Sequence, residues 1–123
     1  MSARDAFETL VSHLGEDGPA SVPVRVHPLA CVHASATLAE GVVVQAGAYL
    51  AAGVELGRGV RIGPNAVFVD PEPGAASRTV VKEGACIGAN AVVHAGVTVA
   101  ARAVVRPGAV VTCSVPPGAI VEG

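Results

Sequence analysis

From Val26 onward a large apolar residue returns at every sixth position: Val26, Val32, Leu38, Val44, Leu50, Leu56, Ile62 and Phe68. The beat resumes at Val81 and continues through Ile87, Val93, Val99, Val105 and Val111, which makes fourteen hexads. Two residues before each marker stands a small or β-branched residue, such as Ala36, Val42, Ala48, Val54, Thr79, Ala85, Ala91 and Ala103. Three residues after many markers stands glycine (Gly41, Gly47, Gly53, Gly59, Gly84, Gly96, Gly108), with Asn65 and Asn90 at two equivalent places. Apolar residues two apart are the signature of a strand with one face inward. A break after every sixth residue makes each strand short and follows it with a corner. Glycine and asparagine tolerate the positive φ that such corners need.

Three short faces close a coil of eighteen residues. Coils stacked by parallel hydrogen bonds, about 4.8 Å apart, form a three-sided prism roughly 22 Å tall with four to five turns. An ordinary β-sandwich predicts no fixed six-residue phase. The fold class is therefore all-β, a parallel β-helix. Periodicity leaves the hand of the coil open.

Two stretches fall outside the beat. Residues 1–24 precede it, and Phe7, Leu10, Val11 and Leu14 share one face of a short helix expected over Ser2–Leu14. A solenoid exposes its end unless something covers it, so this segment is expected to be a cap, with 25–123 as the repeat domain. Residues 69–78 read V-D-P-E-P-G-A-A-S-R and shift the hexad phase, since Phe68 and Val81 are thirteen apart. This is a loop thrown out from a rigid scaffold, a frequent place for function. Pro116 and Pro117 are expected to end the repeat.

Composition sharpens this picture. The chain is 51% hydrophobic yet only 2% aromatic, so its core must be narrow and regular. A formal charge of −2 without a basic block excludes the usual footprint for nucleic acid or an anionic membrane surface. Asp5 and Glu8 interrupt the apolar residues of the N-terminus, no apolar run reaches membrane length, and a cytoplasmic location is the default. Cys31, Cys86 and Cys113 lack metal or disulfide spacing and are expected as buried or semi-buried free thiols.

The second half adds longer motifs. Ile62-Gly63-Pro64-Asn65-Ala66-Val67-Phe68 runs into Asp70. Beyond the loop stand Arg78-Thr79-Val80-Val81-Lys82-Glu83-Gly84-Ala85-Cys86-Ile87-Gly88-Ala89-Asn90, then Gly96-Val97-Thr98-Val99 and Val110-Val111 before Val115-Pro116. Over about residues 26–123 this resembles the left-handed β-helix hexapeptide-repeat acyltransferases, closest to those that N-acetylate nucleotide-linked amino sugars. The resemblance implies a left-handed helix, a homotrimer, and acetyl-CoA as co-substrate in a groove between neighbouring prisms. It also implies a small-molecule acceptor near the loop. Some relatives are fused to a sugar isomerase, which makes a sugar-processing enzyme an implied partner.

Carried over by position, Asn65 and Asp70 fall in the acceptor pocket, although relatives often read T-N or N-D at the second place. Arg78 is placed to meet a nucleotide phosphate. The coils from Ala85 to Val111 border CoA, which assigns Lys82, Ala85, Ala103 and Arg106 to it. Relatives differ at Val99-Ala100 and Val105-Arg106, where I-G is usual, and at His94, where an aliphatic residue is usual. They also continue with N-P-A and a basic residue beyond the position of Gly123. These departures keep a second reading open: a non-catalytic trimeric scaffold, or a fragment without CoA binding.

Acetyl transfer to an amine leaves a good thiolate leaving group, so positioning supplies much of the acceleration. His94 and Asp70 are the candidate catalytic residues, the first as a base and the second as an anion orienting the amine. His27 and His33, in V-H-P-x-A-x-V-H, are expected to be structural. A zinc site on this architecture needs converging histidines, and His94 has no histidine partner in its half of the chain; no metal is expected.

Overall fold

A computed structural model describes residues 22–73 and 78–122. The helix expected over Ser2–Leu14, and most of the cap over 1–24, lie outside the described residues. Within them the chain is a parallel β-helix of two-residue strands on three faces. The first face stacks β1 (Arg25–Val26), β4 (Val43–Val44), β7 (Arg61–Ile62), β10 (Cys86–Ile87), β13 (Val104–Val105) and β15 (Ile120–Val121). The second stacks β2 (Cys31–Val32), β5 (Tyr49–Leu50), β8 (Val67–Phe68), β11 (Val92–Val93) and β14 (Val110–Val111). The third stacks β3 (Thr37–Leu38), β6 (Glu55–Leu56), β9 (Val80–Val81) and β12 (Thr98–Val99), extended by a bridge from Val99 to Val115.

Every apolar marker is the second residue of a strand and points inward. Leu50, Leu56, Ile62, Phe68, Val81, Ile87 and Val93 are buried. So are the small residues two positions earlier, such as Val42, Ala48, Ala66, Ala85 and Ala103. Phe68 is fully buried and is the largest side chain the core admits. First strand residues face outward, which leaves Cys31 exposed and Cys86 half-buried, while Cys113 is exposed on a bend. The thiols are thus free, but two of the three are more open than their hydrophobicity implied.

Stacking partners stand eighteen residues apart, as in Val26 with Val44 and Val32 with Leu50. Across the loop they are twenty-five apart, as in Leu56 with Val81 and Ile62 with Ile87, so the loop is a seven-residue insertion in one coil. At the last turn the spacing falls to sixteen, Val99 with Val115 and Val105 with Val121. Pro116 and Pro117 therefore do not end the repeat. A bend at Cys113 replaces the usual two-residue corner, and the chain rejoins the first face at β15. Five complete turns and the start of a sixth result, one strand more than the hexads show.

The corners form their own ladder. Residues at positive φ (among them Gly59, Asn65, Asn90, Arg102 and Gly108) send their N–H to a corner carbonyl of the preceding coil. Gly59 donates to Glu40 at 3.1 Å, Arg102 to Glu83 at 2.9 Å and Gly108 to Ala89 at 2.9 Å. The first coil has no described coil before it. There His27 Nδ1 accepts the Leu29 N–H and His33 Nδ1 accepts the Ser35 N–H, each at 3.1 Å. The proton of each ring therefore sits on Nε2. These histidines cap otherwise unpartnered corner groups, as expected of a structural role.

The ladder also fails where the loop leaves it. Gly96 lies one coil beyond the insertion. Its N–H donates instead to Thr79 Oγ1 at 3.0 Å. This explains a hydroxyl at an inward position elsewhere filled by alanine or valine; Thr79 is 5% exposed. Replacing Thr79 by valine keeps the shape and hands the exposed Gly96 N–H to water. The expected loss is about 0.5–1.5 kcal/mol, read from the urea midpoint. At Gly88 a Cβ would lie 2.5 Å from the Pro107 nitrogen of the next coil. Gly88→Ala is expected to cost about 1–3 kcal/mol by overpacking, measured in the same way.

Candidate functional site

The insertion opens directly after β8. Asp70 is followed by Pro71, which biases Asp70 toward extended backbone and cannot extend a ladder. Both ends of the loop are tied to the coil before it. At its start the Tyr49 hydroxyl, on β5, hydrogen-bonds both oxygens of Asp70, each at 2.9 Å. At its end Arg78 Nη1 donates to Glu55 Oε1, on β6, at 2.9 Å. Both pairs are exposed. Sequence reasoning missed Tyr49 and Glu55. The eighteen-residue register holds the signal, because it pairs Val67 with Tyr49 and places Glu55 one coil below the strand that follows Arg78.

His94 directly follows β11, the strand paired with β8. Val69 donates to Val93 at 2.9 Å, so His94 leaves the second face one coil beyond the Val69–Asp70 step. The fold thus brings the bases of His94 and Asp70 to one edge of one face. His94 is exposed, and no hydrogen bond joins the two side chains among the described residues. Asn65 stands apart from them. It forms the corner that opens β8, at φ 60°, whereas Asp70 leaves the corner that closes it. The Asn65 side chain lies where Gly47 would carry a Cβ, and its N–H donates to Ala46 at 3.0 Å.

The residues assigned to CoA divide. Lys82 is exposed beside a groove of about 390 Å³ with Glu55, Gly57, Glu83 and Ala101. Arg106 is exposed and lies 3.6 Å from Glu122. Ala85 and Ala103 lie inside the coil. Their side chains are fully buried at the inward, small-residue positions, and the Ala85 and Ala103 carbonyls accept the N–H groups of Arg61 and Cys86. A second groove, of about 710 Å³, holds Arg25, Arg58 and Arg61 against Glu40 and Glu83, with Arg58 paired to Glu40. Among the described residues no three His, Cys, Asp or Glu side chains gather as a metal site, and no helix is long and apolar enough to cross a membrane.

The hydrogen bond to Asp70 holds the Tyr49 pKa above the 10.0 of an ordinary phenol, with smaller contributions from desolvation and the nearby negative charge. A raised phenol pKa favours the protonated hydroxyl in the folded state. Its contribution is complete below the ordinary phenol value and fades as pH rises through the folded one. Asp70→Asn is expected to lower the Tyr49 titration toward that of a free phenol. Near-ultraviolet absorbance reads this directly, because Tyr49 is the only tyrosine and there is no tryptophan.

The bacterial transferase hexapeptide (six repeats) matches residues 35–69. No curated protein matches the chain by sequence. Among solved structures, a mutant of GDP-perosamine N-acetyltransferase from Caulobacter crescentus, in complex with CoA and GDP-perosamine, is 25% identical. Its TM-score is 0.64, over 99% of this chain and 62% of that one. The acetyltransferase domain of PglB from Neisseria gonorrhoeae, in complex with acetyl coenzyme A, is 26% identical with a TM-score of 0.64, over 94% and 62%. Serine acetyltransferase from the same organism is 25% identical with a TM-score of 0.55, over 81% and 37%. The chain spans about three fifths of the first two. Its hexapeptide match over residues 35–69 and its five-turn parallel β-helix make it similar in build to these acetyltransferases, two of which are in complex with CoA or acetyl coenzyme A.

Proposed function

We propose that this chain transfers an acetyl group from acetyl-CoA to the amino group of a nucleotide-linked amino sugar, as a homotrimer with CoA held between neighbouring prisms. The supporting observation is the insertion in the β-helix: near its start stands an exposed, oriented carboxylate, Asp70, beside the strand that His94 follows. Its likeness to structures holding CoA and a nucleotide amino sugar supplies the donor and acceptor classes.

The chemistry needs a neutral amine aligned on the thioester carbonyl. The amine nitrogen forms the new C–N bond, the C–S bond breaks, and the amine proton passes through His94 to the departing sulfur, giving the amide and CoA thiol. Asp70 accepts a hydrogen bond from the amine and aligns it. Arg78 gives one donor to Glu55 and keeps others for a nucleotide phosphate. Lys82 and Arg106 offer charge to the CoA phosphates. Asn65 contributes by turning the chain into β8. The protein works in the cytoplasm.

The test is release of CoA thiol when purified protein meets acetyl-CoA and a panel of nucleotide-linked amino sugars. The expected result is amine-dependent release, with His94→Ala lowering turnover about 10²–10⁴-fold at an unchanged thermal midpoint. Absence of thiol release with every acceptor would refute the transferase and favour a scaffold.

A further inference from the structure

We propose that Tyr49 is a positioning residue for an amine seat. Its hydroxyl fixes the Asp70 carboxylate at the start of the loop so that the outer lone pairs of both oxygens face a primary amine carried on a sugar-sized ring. This inference rests on the proposed acceptor class and goes beyond it by naming the group that orients the amine.

A loop needs no such pair merely to be held down. The direct solution would join its two charged ends, Asp70 and Arg78, to each other. The fold does otherwise. Arg78 is given to Glu55 on the third face at 2.9 Å, and Asp70 is given to a neutral donor on the second. A phenol orients a carboxylate without cancelling its charge. Among the described residues no cation pairs with Asp70. A carboxylate offers about four lone-pair sites, and one hydroxyl bridging both oxygens leaves most of them facing solvent. Pro71 restrains the same residue from the backbone side. The surrounding floor is apolar: Val67 and Val92 are half-buried on the same face, and Val69 is exposed beside them. A fixed, uncancelled negative charge at the edge of an apolar floor suits the ammonium form of an amine on a ring, which gives up a proton to His94 before transfer, and discriminates against the same ring carrying a hydroxyl.

Tyr49 itself reports occupancy, as the sole tyrosine in a chain without tryptophan. Its emission is followed while GDP- and UDP-linked amino sugars are titrated, each beside its counterpart with hydroxyl in place of the amine. The expected result is that at least one amine changes the emission and binds about 10-fold or more tightly than its counterpart. Asp70→Asn is expected to erase that preference. By calorimetry, Tyr49→Phe is expected to weaken the amine about 10-fold and leave acetyl-CoA binding unchanged. Equal binding of amine and hydroxyl forms, silence of Tyr49 toward all of them, or a preference that survives Asp70→Asn overturns the proposal. So does a Tyr49→Phe protein with a lower thermal midpoint and an intact amine preference, the mark of a merely structural role. An amine preference without thiol release from acetyl-CoA leaves the seat standing and removes the transferase reading.

Discussion

The hydrogen-bonded stacking of one coil on the next governs this molecule. Each two-residue strand is too short to persist alone. It exists because partners lie above and below it, eighteen residues away in the regular coils, and because most corners pass their N–H to the corner before. That arrangement fixes the spacing of every inward side chain. It also fixes where no side chain is permitted: the next coil crosses so close to Gly57, Gly63 and Gly88 that backbone atoms occupy the place of a Cβ. The same demand explains His27 and His33, whose rings stand in for the coil that the first described turn lacks.

The eighteen-residue spacing is broken at the insertion and again at the shortened last coil, and the candidate site is at the insertion. Extruding seven residues removes a corner from the third coil. The structure answers with three side chains: Thr79 supplies the missing acceptor inside, while Tyr49 and Glu55 hold the two ends of the insertion outside. A chemically versatile loop is thereby mounted on rigid neighbours, the arrangement that keeps reacting groups in register. The proximity of Asp70 and His94 follows from stacking, since β8 and β11 are consecutive rungs of one face.

The sequence made the scaffold readable because its signal is redundant. Fourteen markers, their small partners and their corner glycines all report one period, and each marker occupies the second position of an observed strand. What escaped lies where the period slips or where a residue type is unusual for its place. β15 was hidden by a coil two residues short. Arg102 takes the left-handed corner at φ 60° with a bulky side chain, at a place that composition reserves for glycine or asparagine. The site was less legible. Asp70 and Arg78 stood out because they charge the loop, but their partners are outward residues on another coil, visible only once the register is known. Ala85 and Ala103 were assigned to CoA from their coil rather than their phase; phase alone places both in the core.

Calorimetric titration of acetyl-CoA into the purified protein, with its mass fixed by light scattering, tests the account most directly. The account predicts a trimer that takes up about one acetyl-CoA per chain in the micromolar range. A stable trimer that takes up none, or a monomer, would contradict it.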